Sequence, residues 1–467
     1  MNASMHGRTR THDGVAAADA VMGVAVALPL AVALARALSL STGASVTGAL
    51  SLSVAGDPHA TAHRMPIAVI RACTRDLYHT PCAPHRPGLG SRCVMTSLRV
   101  LNAAPGAAAD LSDWREQVRR AITSIEALEE AFVLTESERL GTVRALAGGF
   151  PLSITPHYAS LADRHDPACP IRRQCVPRIE EAEEVPGDLR DPLGEEENTV
   201  APHLISRYPD RALLIATDRC SVYCRFCTRS RMVGQGGGAR SMEALAPAFA
   251  WLRAHPKIVD VIISGGDPLV ASDGKIAAIL EELARIESIV TVRVATRAPV
   301  TLPQRITTEL CRALRAHPSV WVMTHFNHPK ELAHEAKRAL GLLADHGVPV
   351  MNQTVLLRGV NDDAVTLESL FRGLVRCRAR PYYLLQADPV RGTAHLRTPI
   401  DTGLSIMKDL SGRVSGIALP KLVVDTPNGR GKVLISPETI VRRAGGITTL
   451  RTFRGEEVDY IDPPSEA

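Results

Sequence analysis

The sequence predicts an α/β protein built on a partial barrel of six strand-helix units, (β/α)6, carried behind a helical N-terminal region. Six short apolar runs between residues 212 and 388 alternate with segments of helical period. Such alternation gives a parallel sheet with right-handed crossovers, which either stays open and doubly wound or curls into a barrel. A further observation decides for the barrel. Nearly every chemically distinctive residue falls at the carboxyl end of a run, the rim on which parallel barrels carry their chemistry.

Residues 1–94 differ from the rest. They hold eight arginines against four acidic residues, so the remainder of a chain of net charge +5 is almost neutral, and no nucleic-acid footprint is expected. The apolar run from about Val15 to Ala35 has the length of a membrane span, yet Asp19 and Pro29 interrupt it and no cleavage pattern flanks it. An extension that is disordered or untranslated, with Met95 as the true start, is expected; a membrane or targeting segment is the alternative.

Residues 95–202 form the helical region and a linking arm. Apolar residues recur at helical spacing from Trp114 to about Leu146, and a polar, proline-punctuated stretch follows to about Pro202. The barrel is assigned to 203–415, on the runs "ALLIAT" (212–217), "VDVIISGG" (259–266), "TVRVATR" (291–297), "VWVMTHF" (320–326), "PVMNQTVLL" (349–357) and "RPYYLLQAD" (380–388). Helical segments lie near 241–254, 273–287, 304–316, 329–346, 365–378 and 400–411. The C-terminal segment 416–467 contains the apolar strand "KLVVD" and then a Gly/Asn loop, "PNGRGK".

The rim residues carry the chemistry. "CSVYCRFC" sets Cys220, Cys224 and Cys227 on the loop after the first run. Three thiolates suit an iron-sulfur cube with one iron left open for chemistry, whereas four would close it. A zinc site that borrows a ligand from elsewhere, or three structural thiols, are the alternatives. Ten cysteines, few and irregularly spaced, do not make a disulfide scaffold, so a reducing, cytoplasmic setting is expected. "SGGD" brings Gly265, Gly266 and Asp267 to the second rim position, His325 and Gln353 occupy the fourth and fifth strands, and Asp388 closes the sixth. On its own a glycine pair at a strand end is a turn, Lys432 a solvated lysine, and Arg207 and Arg211 surface charges.

Taken in order, "RYPDRALLIATDRCSVYCRFCTRSRMVGQ", "SGGDPLVASD", "LPQRIT", "THFNHP", "VLLRGVND", "RPYYLLQAD" and "VVDTPNGRGK" resemble the lysine 2,3-aminomutase family of the radical S-adenosylmethionine (SAM) superfamily, over about Asp113 to Phe453. Phe226, before the last cysteine, fits that superfamily's signature. The resemblance implies a radical-SAM-type partial barrel and a 4Fe-4S cluster on Cys220, Cys224 and Cys227. It implies SAM contacts from Gly265, Gly266 and Asp267, with His325 and Gln353 either joining them or standing as satisfied rim polars. Lys432 is implied as the residue that forms a Schiff base with pyridoxal 5'-phosphate (PLP), and Arg207 and Arg211 as phosphate neighbours. Arg229 would take the substrate carboxylate, and Asp388 and Asp425 the distal ammonium of lysine.

The implied activity is an isomerase reaction: a 5'-deoxyadenosyl radical removes hydrogen from Cβ, nitrogen migrates from Cα to Cβ, and L-lysine becomes β-lysine. Two acids facing one pocket repel unless a cation lies between them, which favours a basic substrate and leaves arginine open beside lysine. An aminomutase serving elongation factor P is a second alternative, and a non-catalytic iron-sulfur module a third. Where longer members place a zinc-binding cysteine after "RGVND", this chain has Asp363, so no zinc is expected. The implied partners are an electron donor such as flavodoxin or ferredoxin and a second copy of the chain.

Overall fold

A computed structural model describes residues 110–463; the expectations for residues 1–94, the Val15–Ala35 run among them, lie outside that range. Among the described residues no helix is long and apolar enough to cross a membrane.

The N-terminal region begins with three short helices, α1 (Trp114–Arg119), α2 (Ile125–Ala131) and α3 (Glu136–Leu146), and single helical turns follow at Pro156–Ser160 and Arg172–Cys175. Ile122 leaves the helical path to form an antiparallel bridge with Ile154, and Ser124 and Thr135 cap the helices that follow. Thr135 and Glu138 cap reciprocally at the start of α3. Glu138 also holds the buried Arg172 guanidinium, through Nε at 2.8 Å and Nη2 at 2.6 Å, with both side chains sealed from solvent. Their mutual neutralisation is what makes burial of either charge tolerable.

Ten strands follow in one sheet: β1 (Thr199–Ala201), β2 (Leu204–Tyr208), β3 (Arg211–Thr217), β4 (Asp260–Gly265), β5 (Thr291–Ala295), β6 (Val320–Thr324), β7 (Val350–Leu356), β8 (Ala379–Gln386), β9 (Lys421–Thr426) and β10 (Gly431–Leu434). Each pairs with its neighbour in sequence, and β3 through β9 run parallel. The six expected strands are therefore joined by a seventh parallel one, β9. The antiparallel β1-β2 and β10 finish the two edges. β9 and β10, read from sequence as part of a C-terminal segment, extend the same curved wall, and Lys432 stands opposite Asp425 across the β9-β10 ladder. A separate three-stranded sheet, β11 (Ile440–Ala444), β12 (Ile447–Arg451) and β13 (Glu457–Ile461), follows.

The crossover helices are α4 (Met242–Ala254), α5 (Asp273–Ala284), α6 (Thr308–Leu314), α7 (His334–Asp345), α8 (Ala364–Arg376) and α9 (Ile400–Leu410). α8 illustrates their packing: Leu367, Leu370, Phe371 and Leu374 form one apolar stripe and are wholly buried. Burial of each contributes about 2 kcal/mol. Asp363 caps α8, its side chain accepting from the Thr366 amide at 2.8 Å.

Candidate active site

The rim of the sheet opens into a cavity of about 340 Å³, and all fourteen residues singled out in the sequence line it. The chain contributes them from five parallel strand ends, the loop after β3, and both edges of the sheet.

The three cysteines occupy the loop that leaves β3, and the N-terminal region clamps that loop. Tyr223 and Arg225 donate their amides to the Ser153 and Gln174 carbonyls at 3.0 and 2.9 Å. The Arg225 side chain reaches the Pro151 and Phe150 carbonyls at 2.8 and 3.1 Å and pairs with Glu181. Burial pushes the Cys227 thiol up to about 11, with Cys224 adding to the effect, and raises Cys220 well above the ordinary thiol range. Thiols in such a site become good ligands when bound iron takes up the thiolate charge. Among the described residues no His, Cys, Asp or Glu side chains are grouped as the ligands of a single metal ion. Three thiols spaced around one cavity suit a cube, whose corners each meet a different ligand.

Gly265 and Gly266 have a reason to be glycine that lies within the chain itself. A Cβ on Gly265, at φ +112°, would stand 2.1 Å from the Thr217 carbonyl oxygen, and one on Gly266 would stand 2.3 Å from that of Arg219. β4 therefore packs hard under the cysteine loop, and a side chain there would displace it. Asp267 is occupied by its own chain: one carboxylate oxygen accepts from the Leu269 amide at 3.0 Å and Thr296 Oγ1 at 2.6 Å, the other from the Arg297 amide at 2.8 Å. It joins the exits of β4 and β5 and has no oxygen free of partners for a cofactor. His325 lies in the loop after β6, and burial first, then the Arg297 charge, brings it down to about 4, so its ring is neutral at ordinary pH. Gln353 stands on β7.

On the far wall the Lys432 ammonium contacts Asp425, whose other oxygen accepts from Arg207 Nη2 at 3.2 Å. Burial first and Asp425 second push Asp388 up to about 7. Arg207 also donates to the Leu193 carbonyl at 2.9 Å, and Arg211 pairs with Asp210 at 2.9 Å; the two guanidiniums flank the Tyr208 ring. An inward amine balanced by a carboxylate, with two guanidiniums nearby, is a donor set suited to a phosphorylated aldehyde.

Arg229 is gripped by Glu195 through Nε at 2.9 Å and Nη2 at 2.7 Å, while its Nη1 donates to Ser264 at 3.2 Å. Glu195 also pairs with Arg231 at 2.9 Å. Glu195 escapes sequence reasoning, and Arg297 is legible there only as a polar residue on the rim, without a role. Glu195 opens an acidic run that reads as a solvated patch, and Arg297 merely ends the third apolar run; the signal for each is a partner distant in the chain.

Two family models match this chain: the radical SAM superfamily over residues 214–369 and the lysine-2,3-aminomutase model over residues 407–466. The L-lysine 2,3-aminomutase of Fusobacterium nucleatum is 44% identical over 352 residues, 75% of this chain and 83% of that one. The enzyme of the same name from Clostridium subterminale is 43% identical over 355 residues, 76% of this chain and 85% of its own. A glutamate 2,3-aminomutase from Clostridioides difficile is 36% identical over 367 residues, covering 79% and 86%.

Proposed function

The chain belongs to the lysine 2,3-aminomutase family of the radical SAM superfamily and is an isomerase; from that premise we propose that it is PLP-dependent and moves the α-amino group of L-lysine to Cβ, giving β-lysine. Membership implies a 4Fe-4S cluster and SAM. The observation that carries the proposal is one cavity lined by three cysteine thiols and also by a lysine ammonium in contact with Asp425, with Asp388 lining the same space.

When bound, the cluster with SAM supplies a carbon-centred radical, and PLP supplies a conjugated ring over which an unpaired electron spreads. The chain's own residues do the positioning. Cys220, Cys224 and Cys227 would hold the cluster, Gly265, Gly266, His325 and Gln353 would border SAM, and Lys432 would tether PLP with Arg207 and Arg211 near its phosphate. Asp425 is balanced by the Lys432 ammonium and by Arg207. When Lys432 gives up that charge, Asp425 loses its contacting ammonium, and the distal ammonium of lysine takes that place beside Asp425 and Asp388. Arg229, steadied by Glu195, keeps the Nη1 edge that now touches Ser264 for the substrate carboxylate. Held at both ends, the substrate presents Cβ to the radical, and the walls exclude other hydrogen donors. A reductant of flavodoxin or ferredoxin type, a homodimer and a cytoplasmic location belong to the same proposal.

The test is anaerobic incubation of reconstituted protein with SAM, PLP, dithionite and either lysine, arginine or glutamate, with products resolved by chirality. β-Lysine from lysine alone is expected. β-Glutamate as the product, or none from lysine, would overturn the assignment.

A further inference from the structure

Arg297, at the exit of β5, aims its Nη1 at the sulfur of Cys224, 2.8 Å away. The rest of the guanidinium is committed. Nε donates to the His325 carbonyl at 3.1 Å, and Nη2 meets the Tyr158 hydroxyl at 3.0 Å, Gln174 Oε1 at 2.6 Å and Glu331 Oε1 at 2.7 Å. The rings of Tyr158 and Phe226 lie against it at 5.2 Å each. Only 10% of the side chain is exposed, and Glu331 is wholly buried. An arginine keeps its charge at any working pH, and this one has no room to swing aside. A fixed positive pole therefore stands beside one of the three thiols and donates a charge-assisted hydrogen bond to it.

Hydrogen bonds to ligand sulfurs and net nearby charge set the potential of an iron-sulfur centre. Reduction adds negative charge, which a donor and a cation stabilise. We propose that Arg297 is a positioning residue that raises the reduction potential of the cluster through its contact with Cys224, and that Glu331, its buried counter-ion, offsets part of that effect. The inference rests on the cluster assigned under Proposed function. It also gives the N-terminal region an electronic role, because Tyr158 and Gln174 hold Arg297 in place.

The two residues predict shifts of opposite sign. In reconstituted Arg297→Gln, EPR-monitored titration should give a lower midpoint, with the reduced fraction at a fixed poise falling about tenfold, equivalent to about 59 mV for a one-electron couple. Arg297→Lys, which keeps the charge and loses the fork, should fall less. Glu331→Gln should move the midpoint upward. Equal midpoints in wild type and Arg297→Gln, or shifts of one sign in Arg297→Gln and Glu331→Gln, would overturn the proposal. So would loss of iron from well-folded Arg297→Lys, which would make Arg297 an assembly scaffold. Should the variants not fold, wild-type protein enriched in 15N-arginine decides: pulsed EPR of its reduced cluster should detect a nitrogen coupling, and none would refute the contact. Wild type that holds no cluster after reconstitution would instead sink the function proposed above, a result distinct from all of these.

Discussion

Asp388 yields a pH prediction with a definite size. Burial, then repulsion from Asp425, pushes its carboxyl up to about 7, against the pull of Lys432, Arg207 and Arg229. A raised carboxyl pKa means the neutral acid dominates below about 7 and the anion above it. A distal ammonium needs the anion. About one-tenth of the protein carries it at pH 6 and about nine-tenths at pH 8, so kcat/KM for lysine should climb about tenfold between them. The assay is initial-rate β-lysine formation across that range, with SAM and PLP saturating. Asp388→Asn should lower kcat/KM and lose the rising limb. A flat profile in wild type, or the same limb in Asp388→Asn, would refute the assignment of Asp388 to the ammonium. Stability runs the other way: the stabilisation from the protonated acid is complete below the ordinary value of 3.8 and is lost as pH rises through about 7. Melting temperature should therefore fall over that interval by more in wild type than in Asp388→Asn.

Lys432→Ala should bind no PLP that borohydride can fix to the chain, whereas wild type should gain the absorbance of a reduced pyridoxyl-lysine. Gly266→Ala drives a Cβ to 2.3 Å from the Arg219 carbonyl oxygen, next to Cys220. Displacement of that loop by about 1 Å should lower 5'-deoxyadenosine formation about 100-fold, and thermal melts should show a loss of about 1–3 kcal/mol. Glu138→Gln leaves the Arg172 guanidinium buried without a counter-charge; urea unfolding should reveal a loss of about 3–5 kcal/mol, while iron binding persists in the folded fraction.

What the sequence conveyed depended on how locally each feature is determined. The six runs and their helices match β3 to β8 and α4 to α9 closely, because apolar period is a short-range property. The cysteine triple was legible for the same reason: its spacing sits within eight residues. β9 was seen as an apolar strand, yet its place in the barrel wall was hidden, because its membership is decided by pairing with β8. The helical spacing from Trp114 to Leu146 gave no sign of the gap at Ile122, which a bridge to Ile154 imposes. Glu195, and the role of the rim residue Arg297, were out of reach because a charged side chain reads as solvated until its partner is known, and theirs come from distant segments. The glycine pair reads in sequence as a turn or, by resemblance, a SAM contact, while its tightest neighbours are carbonyls at the end of β3 and in the loop that follows it.

The strictly consecutive strand order bears on how the enzyme is assembled. Cys227 precedes Lys432 by about 200 residues, so a ribosome finishes the sulfur-bearing wall long before the amine-bearing one is made. Each strand pairs with the one before it, and the hairpin that brings Lys432 lies at the edge of the sheet, beyond β8. On the proposed function, iron loading and coenzyme capture would thereby be separable in time, and a chain halted before β9 would carry every thiol yet lack the amine.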